Sequence, residues 1–292
     1  MQNLYWRSTA MKIYDCFTFY NEFELLELRL AQHWDHVDQF VIVEADHTFQ
    51  NQPKPFLLKD NWERFAQWHS KMRLITVESR LNRDPWANER NQREAILEGL
   101  ADAQPDDMII IGDVDEVLRA NTLKIVRQGG YKMLGFRMPL FNFKLNYMLV
   151  TTPSRFCVWN AATRFDLLGS PEDFRQARHM LNGFPLGHKD QDLAIIEHAG
   201  WHWTYFGDNN FARTKIQGFA HTETNRPDIL NQLDIAASIA DGRGIIRTDD
   251  EYRFAPVSVD SYFPDVVKSH TAVLPATKEA WDFLPKPHEY LK

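Results

Sequence analysis

The segment Met108–Glu116 restricts the fold more than any other part of the chain, because it joins a strongly apolar run to a cluster of acids. Met108–Ile111 ends in three consecutive isoleucines. A short apolar run rich in β-branched residues predicts a strand that is buried on both faces. Asp113, Asp115 and Glu116 follow it. We therefore expect a strand of an α/β sheet whose carboxyl end carries acidic side chains, which is where ligands bind in such sheets.

The spacing of Asp113 and Asp115 indicates a cation site. In an extended chain, residues two apart place their side chains on the same face. Two carboxylates in that position repel each other unless a cation lies between them, and oxygen ligands suit Mg²⁺ or Mn²⁺. Such an ion is commonly shared with the diphosphate of a nucleotide. The alternative is a simple turn, because aspartate is also frequent at helix caps and turns.

Strand and helix patterns alternate before this segment. Lys12–Phe19 is typical of a strand, Phe23–Trp34 has a helical apolar face, and Phe40–Val43 and Leu74–Val77 are typical of buried strands. Strand–helix–strand units build parallel sheets. The pattern predicts an α/β nucleotide-binding fold with a mostly parallel central sheet flanked by helices.

No linker or composition break divides the chain, so its 292 residues predict a single domain. We expect residues 1–10 to form an N-terminal extension. Residues 11–120 carry the alternating pattern and form the nucleotide-binding half. Residues 121–292 are richer in aromatic side chains and in proline towards the end, and we expect them to form the second half and a C-terminal wrap.

Composition excludes several classes of partner. The net charge is −7 without a basic cluster, which argues against nucleic acid. The two cysteines form no disulfide framework and favour a reducing compartment. No secretion signal and no apolar run of bilayer length is visible. We therefore expect a cytoplasmic protein without a membrane span.

Four blocks of the sequence together resemble one known family. The blocks are Phe17–Glu22 with Leu25–Arg29, Phe40–Glu44 with Thr48-Phe49 and Lys54-Pro55, Asp113–Glu116, and Gly200–His202. They are similar, in order and over residues 11–270, to the glycosyltransferase family that contains β-1,4-mannosyl-glycoprotein β-1,4-N-acetylglucosaminyltransferase, the enzyme that adds bisecting GlcNAc. The resemblance implies a GT-A-like fold with a DxD motif, a divalent metal ion, a UDP-sugar donor and inversion at the anomeric carbon.

The chain also departs from that family. Its eukaryotic members carry a membrane anchor and a lumenal domain, which this sequence does not show. Gly112 stands where the animal enzyme has a further aspartate. These differences bear on the acceptor rather than on the chemistry.

The resemblance assigns roles to the acids and to one histidine. Asp115 is expected to bind the metal ion, and Asp113 to bind the ion, the ribose or both. His202, in the Gly-Trp-His block, is the first candidate for the general base that deprotonates the acceptor hydroxyl. It could instead be a third metal ligand or a structural histidine. Glu197 is the second candidate for the base, and Glu116 would brace the acidic motif or face the acceptor.

Four further residues are expected near the donor nucleotide. Glu44 and Asp46 end the second strand, where a carboxylate could accept from the uracil N–H or a ribose hydroxyl. Asn21 lies at the first strand-to-helix turn. Arg93 could contact a donor phosphate, with a salt bridge on the helix surface as the alternative reading.

The sequence thus predicts a metal-dependent glycosyltransferase, a hexosyltransferase that moves GlcNAc from UDP-GlcNAc to a glycan or glycoconjugate acceptor with Mn²⁺ or Mg²⁺. One alternative is a sugar nucleotidyltransferase, although residues 13–22 lack the glycine and lysine of a phosphate loop. The other is a non-catalytic carbohydrate-binding protein whose aromatic side chains stack on glycans.

Overall fold

The computed structural model describes residues 10–78, 83–151, 156–245 and 252–277, so the predicted extension at residues 1–10 lies almost entirely outside the described residues. The strands are β1 (Ile13–Phe19), β2 (Gln39–Ala45), β3 (Met72–Val77), β4 (Met108–Asp113), β5 (Glu116–Leu118), β6 (Met133–Asn142), β7 (Tyr147–Leu149), β8 (Phe156–Arg164), β9 (Leu193–Ile196), β10 (Gly200–Thr204) and β11 (Phe254–Pro256). The α-helices are α1 (Phe23–His33), α2 (Leu57–Asp60), α3 (Pro85–Glu94), α4 (Ala120–Gln128), α5 (Pro171–Gln176), α6 (Arg178–Leu181), α7 (Asn209–Gly218), α8 (Pro227–Leu230), α9 (Ile235–Ala240) and α10 (Asp265–Lys268). Four 3-10 helices cover Trp62–Lys71, Ala95–Leu100, Phe165–Leu167 and Thr222–Thr224.

The first half of the chain forms the predicted parallel sheet. Its strands lie in the order β3-β2-β1-β4, and each neighbouring pair is parallel. The strand β4 is buried on both faces as expected. Ile110 packs in one core cluster with Phe17, whereas Ile109 and Ile111 pack in a second cluster on the opposite face.

The prediction of a mostly parallel sheet is wrong, because the second half makes the sheet mixed. The order continues as β4-β8-β6-β7-β11, and all four of these pairings are antiparallel. Parallel neighbours need a long crossover connection, usually through a helix. The strands β6 and β7 are joined only by residues 143–146, and this short connection reverses the chain direction.

The strand β10 carries the Gly-Trp-His block and was not predicted as a strand. It pairs antiparallel with β5 and parallel with β6. The register sets His202 opposite Glu116 on one side and Leu140 on the other. This pairing brings the Gly-Trp-His block to the acidic motif from the distant second half of the sequence.

Local capping explains the helix boundaries. Asp84 accepts a hydrogen bond from the backbone of Trp86 at the start of α3, and Asp208 accepts one from the backbone of Phe211 at the start of α7. Residues 227–240 form two short helices. The side chain of Asp234 accepts from two backbone N–H groups and starts a new helix, so α8 and α9 are separate.

Within the described residues, no helix is both long enough and apolar enough to cross a bilayer.

Candidate active site

A cavity of about 480 Å³ opens at the carboxyl ends of β1 and β4. Thr18–Tyr20 of the first strand end and Asp113–Glu116 of the acidic motif form one part of its wall. The segment His47–Phe49 after β2, and residues of α3, β10 and α7, form much of the remainder. This is the position at which open α/β sheets bind their ligands.

Two arginines bind the carboxylate of Asp113. Its Oδ1 lies 3.0 Å from Arg93 Nη2, and its Oδ2 lies 2.7 Å from Arg175 Nη2. Burial alone would raise the pKa of Asp113, but Arg175 and Arg93 hold it well below the usual range. Asp113 is therefore ionised at any physiological pH, and both of its oxygens accept charged hydrogen bonds.

Asp115 shares a lysine with a second buried acid. Lys215 Nζ lies 2.8 Å from Asp115 Oδ2 and 3.2 Å from Glu22 Oε1. Burial alone would lower the pKa of Lys215, but Asp115 and Glu22 raise it far above its ordinary value. The ammonium group thus lies between two carboxylates, a position that a cation must fill.

His202 lies next to this group. Its Nε2 is 3.6 Å from Asp115 Oδ1, and its ring meets Trp159 edge to face at a centroid distance of 4.3 Å. Burial lowers the pKa of His202 to about 4, although the charge of Asp115 opposes this shift. The imidazole is therefore neutral at pH 7. Its Nδ1 is buried and has no hydrogen-bond partner among the described residues.

Glu116 braces the acidic motif. It accepts from both terminal nitrogens of Arg175, at 2.6 and 2.9 Å, and from the backbone N–H of Asp113 at 3.0 Å. Burial raises the pKa of Glu116 to about 7, with the charge of Asp113 adding to the effect and Arg175 opposing it.

The fully buried Arg29 of α1 fixes the backbone of the motif. Its Nη1 donates to the carbonyl oxygens of Asp113 and Glu116, each at 2.8 Å. The same guanidinium binds both carboxylate oxygens of Asp15 on β1, at 2.5 and 2.9 Å. The turn between β4 and β5 is therefore fastened to the first strand and the first helix of the sheet.

Four of the predicted site residues do not line the cavity. Glu197 pairs with Arg137 at 2.8 Å. Glu44 accepts from the backbone of Leu58 at 2.9 Å and lies 3.4 Å from Lys54. Asp46 pairs with a neighbouring histidine, and Asn21 is also outside the lining. The predicted residues that do line it are Asp113, Asp115, Glu116, Arg93 and His202.

Sequence reasoning did not single out Lys215, Arg175 and Arg29 as site residues. Arg29 had a usable signal, because a charged residue between Leu28 and Leu30 on the apolar face of a helix needs a buried partner. Lys215 had none, since 100 residues separate it from Asp115.

No set of three or more His, Cys, Asp or Glu side chains within the described ranges has the arrangement of a metal site built from protein ligands alone. Sites of that kind are not the rule for Mg²⁺, which is usually bound by one or two carboxylates together with substrate phosphates and water. Asp115 and His202 lie together in the lining of the cavity, with Asp115 Oδ1 3.6 Å from His202 Nε2.

The chain belongs to glycosyltransferase family 17, whose profile matches residues 2–276. This is the family of the bisecting GlcNAc transferase, so the resemblance of the four sequence blocks is confirmed at the level of the family. The protein is therefore a glycosyltransferase rather than a nucleotidyltransferase or a non-catalytic carbohydrate-binding protein. No curated protein matches the chain.

Two solved structures show remote similarity. The mannosyltransferase PcManGT from Pyrobaculum calidifontis, in complex with GDP-Man and Mn²⁺, is 14% identical with a TM-score of 0.37, covering 64% of this chain. This chain spans 57% of the length of that enzyme. The galactosyltransferase LgtC, in complex with donor and acceptor sugar analogs, is 11% identical with a TM-score of 0.33, and the match covers 64% of this chain and 73% of LgtC. The family match, not these similarities, carries the assignment.

Proposed function

We propose that the protein is a metal-dependent, inverting glycosyltransferase that moves GlcNAc from UDP-GlcNAc to a hydroxyl group of a glycan or glycoconjugate. The observation that carries the proposal is a single cavity in which the acidic motif and His202 meet three basic side chains, in a chain of glycosyltransferase family 17. The basic side chains are Arg93, Arg175 and Lys215. A nucleoside diphosphate is an anion, and such a cavity offers it both fixed cations and ligands for a metal ion.

Asp115 and His202 are the residues that would hold the ion. The imidazole is neutral, as a metal ligand must be, and its Nε2 faces Asp115 Oδ1 at 3.6 Å. The sequence also predicts Asp113 as a metal ligand. Asp113 would contribute mainly its charge, because Arg93 and Arg175 already bind both of its oxygens. A bound Mn²⁺ or Mg²⁺ would stabilise the negative charge of the departing UDP.

The remaining walls of the cavity fit the other parts of the donor. Phe19–Tyr20 and Thr48–Phe49 line it at the strand ends, so we assign the nucleoside to this side. Arg93, Arg175 and Lys215 lie on the side of the acidic motif, so we assign the diphosphate there. Guanidinium groups suit phosphate oxygens because they present paired donors.

An inverting reaction also needs a group that takes the proton from the attacking hydroxyl. Of the two candidates for the base named from the sequence, Glu197 pairs with Arg137 and lies outside the cavity lining. His202 is the candidate inside the cavity. The variant His202→Asn separates its two roles: loss of Mn²⁺ affinity identifies a metal ligand, whereas loss of turnover at full Mn²⁺ affinity identifies the base.

A donor screen tests the proposal. Release of the nucleotide is measured for a panel of sugar nucleotides, with Mn²⁺ and with EDTA, on the wild type and on Asp115→Asn. We expect UDP-GlcNAc to be the best donor, and both EDTA and Asp115→Asn to reduce release at least about a hundredfold. Asp173→Asn, at an exposed ion pair with Arg90, is the matched control and should retain full activity. Full activity in Asp115→Asn would refute the assignment.

A further inference from the structure

The basic side chains of the cavity are not equivalent. Arg93 pairs with Asp113 and Glu172, Arg175 with Asp113 and Glu116, and Lys215 with Asp115 and Glu22. Lys54, which also lines the cavity, lies 3.4 Å from Glu44. Each of these four cations therefore has a carboxylate within reach.

Arg178, the first residue of α6, is different. Its half-buried side chain lines the cavity, yet its guanidinium makes no hydrogen bond or ion pair with any residue in the described part of the chain. The acids whose charge reaches it are Glu116 and Asp113, and both are already bound to Arg175. Arg178 is thus a cation in the cavity wall, and the two acids whose charge acts on it are bound to Arg175.

The lowered pKa of Arg178 is consistent with a guanidinium that has no anionic partner. Burial lowers the pKa of Arg178 to about 10, and repulsion from Arg175 adds to the effect. The pKa values of Arg93, Arg175 and Lys215 are raised instead, because their carboxylates outweigh the cost of burial. A partly desolvated guanidinium without a counter-ion lowers stability, and groups kept at such a cost commonly serve a ligand.

A second unpaired donor lines the same cavity. The indole Nε1 of Trp159 is buried and has no hydrogen-bond partner among the described residues, although the indole ring packs on His202. An indole nitrogen can only donate. A ligand that satisfies both Arg178 and Trp159 must therefore present acceptor oxygens, and negative charge on them would balance the guanidinium.

We propose that Arg178 binds the phosphate oxygens of a diphosphate ligand, with Trp159 Nε1 as a second donor. This inference rests on the proposed function in one respect, the identification of the diphosphate with that of the sugar nucleotide. The charge of a diphosphate supplies the anion that Arg178 lacks, and its several oxygens allow contact with Arg178 while others face the metal ligands Asp115 and His202.

Binding of three probes tests the proposal. Calorimetry with Mn²⁺ present compares UDP, uridine and inorganic pyrophosphate on the wild type, Arg178→Gln and Arg178→Lys. We expect Arg178→Gln to weaken UDP and pyrophosphate about ten- to hundredfold and to leave uridine unchanged. Arg178→Lys keeps the charge but not the paired donors, so its affinity for UDP and pyrophosphate should lie between those of the wild type and Arg178→Gln. Arg90→Gln, at an exposed ion pair, is the control and should bind all three probes as the wild type does.

Thermal unfolding without ligand separates this role from a structural one. A structural arginine stabilises the free protein, whereas removal of an unpaired Arg178 should leave Tm unchanged or raise it. Unaltered affinity of Arg178→Gln for both UDP and pyrophosphate, or a marked fall in its ligand-free Tm, would overturn the inference. Arg178-dependent binding of pyrophosphate by a wild type that does not bind UDP would uphold it and would refute the proposed sugar-nucleotide donor.

Discussion

Lys215 Nζ lies 2.8 Å from Oδ2 of Asp115 and also 3.2 Å from Oε1 of Glu22. We predict that Lys215→Met, measured in EDTA, loses about 3–5 kcal/mol of stability, because two buried carboxylates then face each other without a cation. Mn²⁺ should restore part of this loss, since the ion can bind where the ammonium group was. Urea denaturation with and without Mn²⁺ measures both effects.

Lys268→Met is the control for this prediction. Lys268 pairs with Asp265 at an exposed surface site, so its loss should cost at most about 1 kcal/mol and Mn²⁺ should not alter the result. Equal stabilisation of the wild type and Lys215→Met by Mn²⁺ would show that the ion does not take the place of the ammonium group.

Arg29 offers a second test of how the acidic motif is held. Arg29→Met leaves Asp15 without its guanidinium and frees the carbonyl oxygens of Asp113 and Glu116. We expect a loss of about 3–5 kcal/mol in the free energy of unfolding. Arg64→Met, which removes an exposed pair with Glu27, should cost about 1 kcal/mol or less. Similar losses for the two variants in chemical denaturation would contradict the role of Arg29.

His33 makes stability depend on pH. Leu118 N–H donates to His33 Nε2 at 2.9 Å, and His33 Nδ1 meets Asp15 at 2.8 Å, so the imidazole is held neutral. Burial lowers the pKa of His33 below its ordinary value, against the opposing charge of Asp15. Below about pH 6.5, His33 is therefore protonated in the unfolded state but still neutral in the folded state. The free energy of unfolding should fall as pH decreases through that value.

Two further groups modify this acid profile. Burial lowers the pKa of His202 to about 4, so this histidine also lowers the free energy of unfolding as pH decreases. Burial alone would raise the pKa of Asp15, but Arg29 and His33 hold it well below the usual range, so its contribution is lost only below about pH 4. Urea midpoints between pH 7.5 and pH 4.5 should show a shallower slope for His33→Gln than for the wild type. An unchanged slope would mean that His33 is not buried in its neutral form.

Gly200 controls the pairing that delivers His202 to the site. A Cβ at this position would lie 2.1 Å from the carbonyl oxygen of Val117 and 2.8 Å from the Cα of Leu118, and both obstacles are backbone. We expect Gly200→Ala to cost roughly 1–3 kcal/mol and to lower activity, because β10 must move away from β5. Gly183→Ala meets only one carbonyl oxygen at 3.2 Å and should be nearly neutral. Wild-type activity in Gly200→Ala would contradict the assigned register.

Parts of this fold could be predicted because they depend on local patterns. Three consecutive isoleucines before an acidic motif indicate a buried strand and its functional end, and the leucines of α1 show the period of a helix. The antiparallel second half could not be predicted in this way. Its neighbours are set by pairings between strands distant in sequence, such as β4 with β8, which leave no periodic signal.

The candidate site was also only partly predictable from the sequence. Asp113, Asp115 and His202 could be proposed from the sequence because they lie in short recognisable blocks, and all three line one cavity. The charge balance of the site was not predictable, because Arg175 and Lys215 come from elements whose positions only the tertiary structure fixes. Glu44 ends a strand as expected, yet its carboxylate binds the backbone of α2 instead of facing the cavity.

Calorimetric titration of UDP, with Mn²⁺ and with EDTA, tests the central claim most directly. The wild type should bind UDP at least about tenfold more tightly with Mn²⁺, and Asp115→Asn should lose this difference because the ion loses its carboxylate ligand. Asp173→Asn should behave as the wild type. Equal UDP affinity in Mn²⁺ and EDTA, or a full Mn²⁺ effect in Asp115→Asn, would contradict the account.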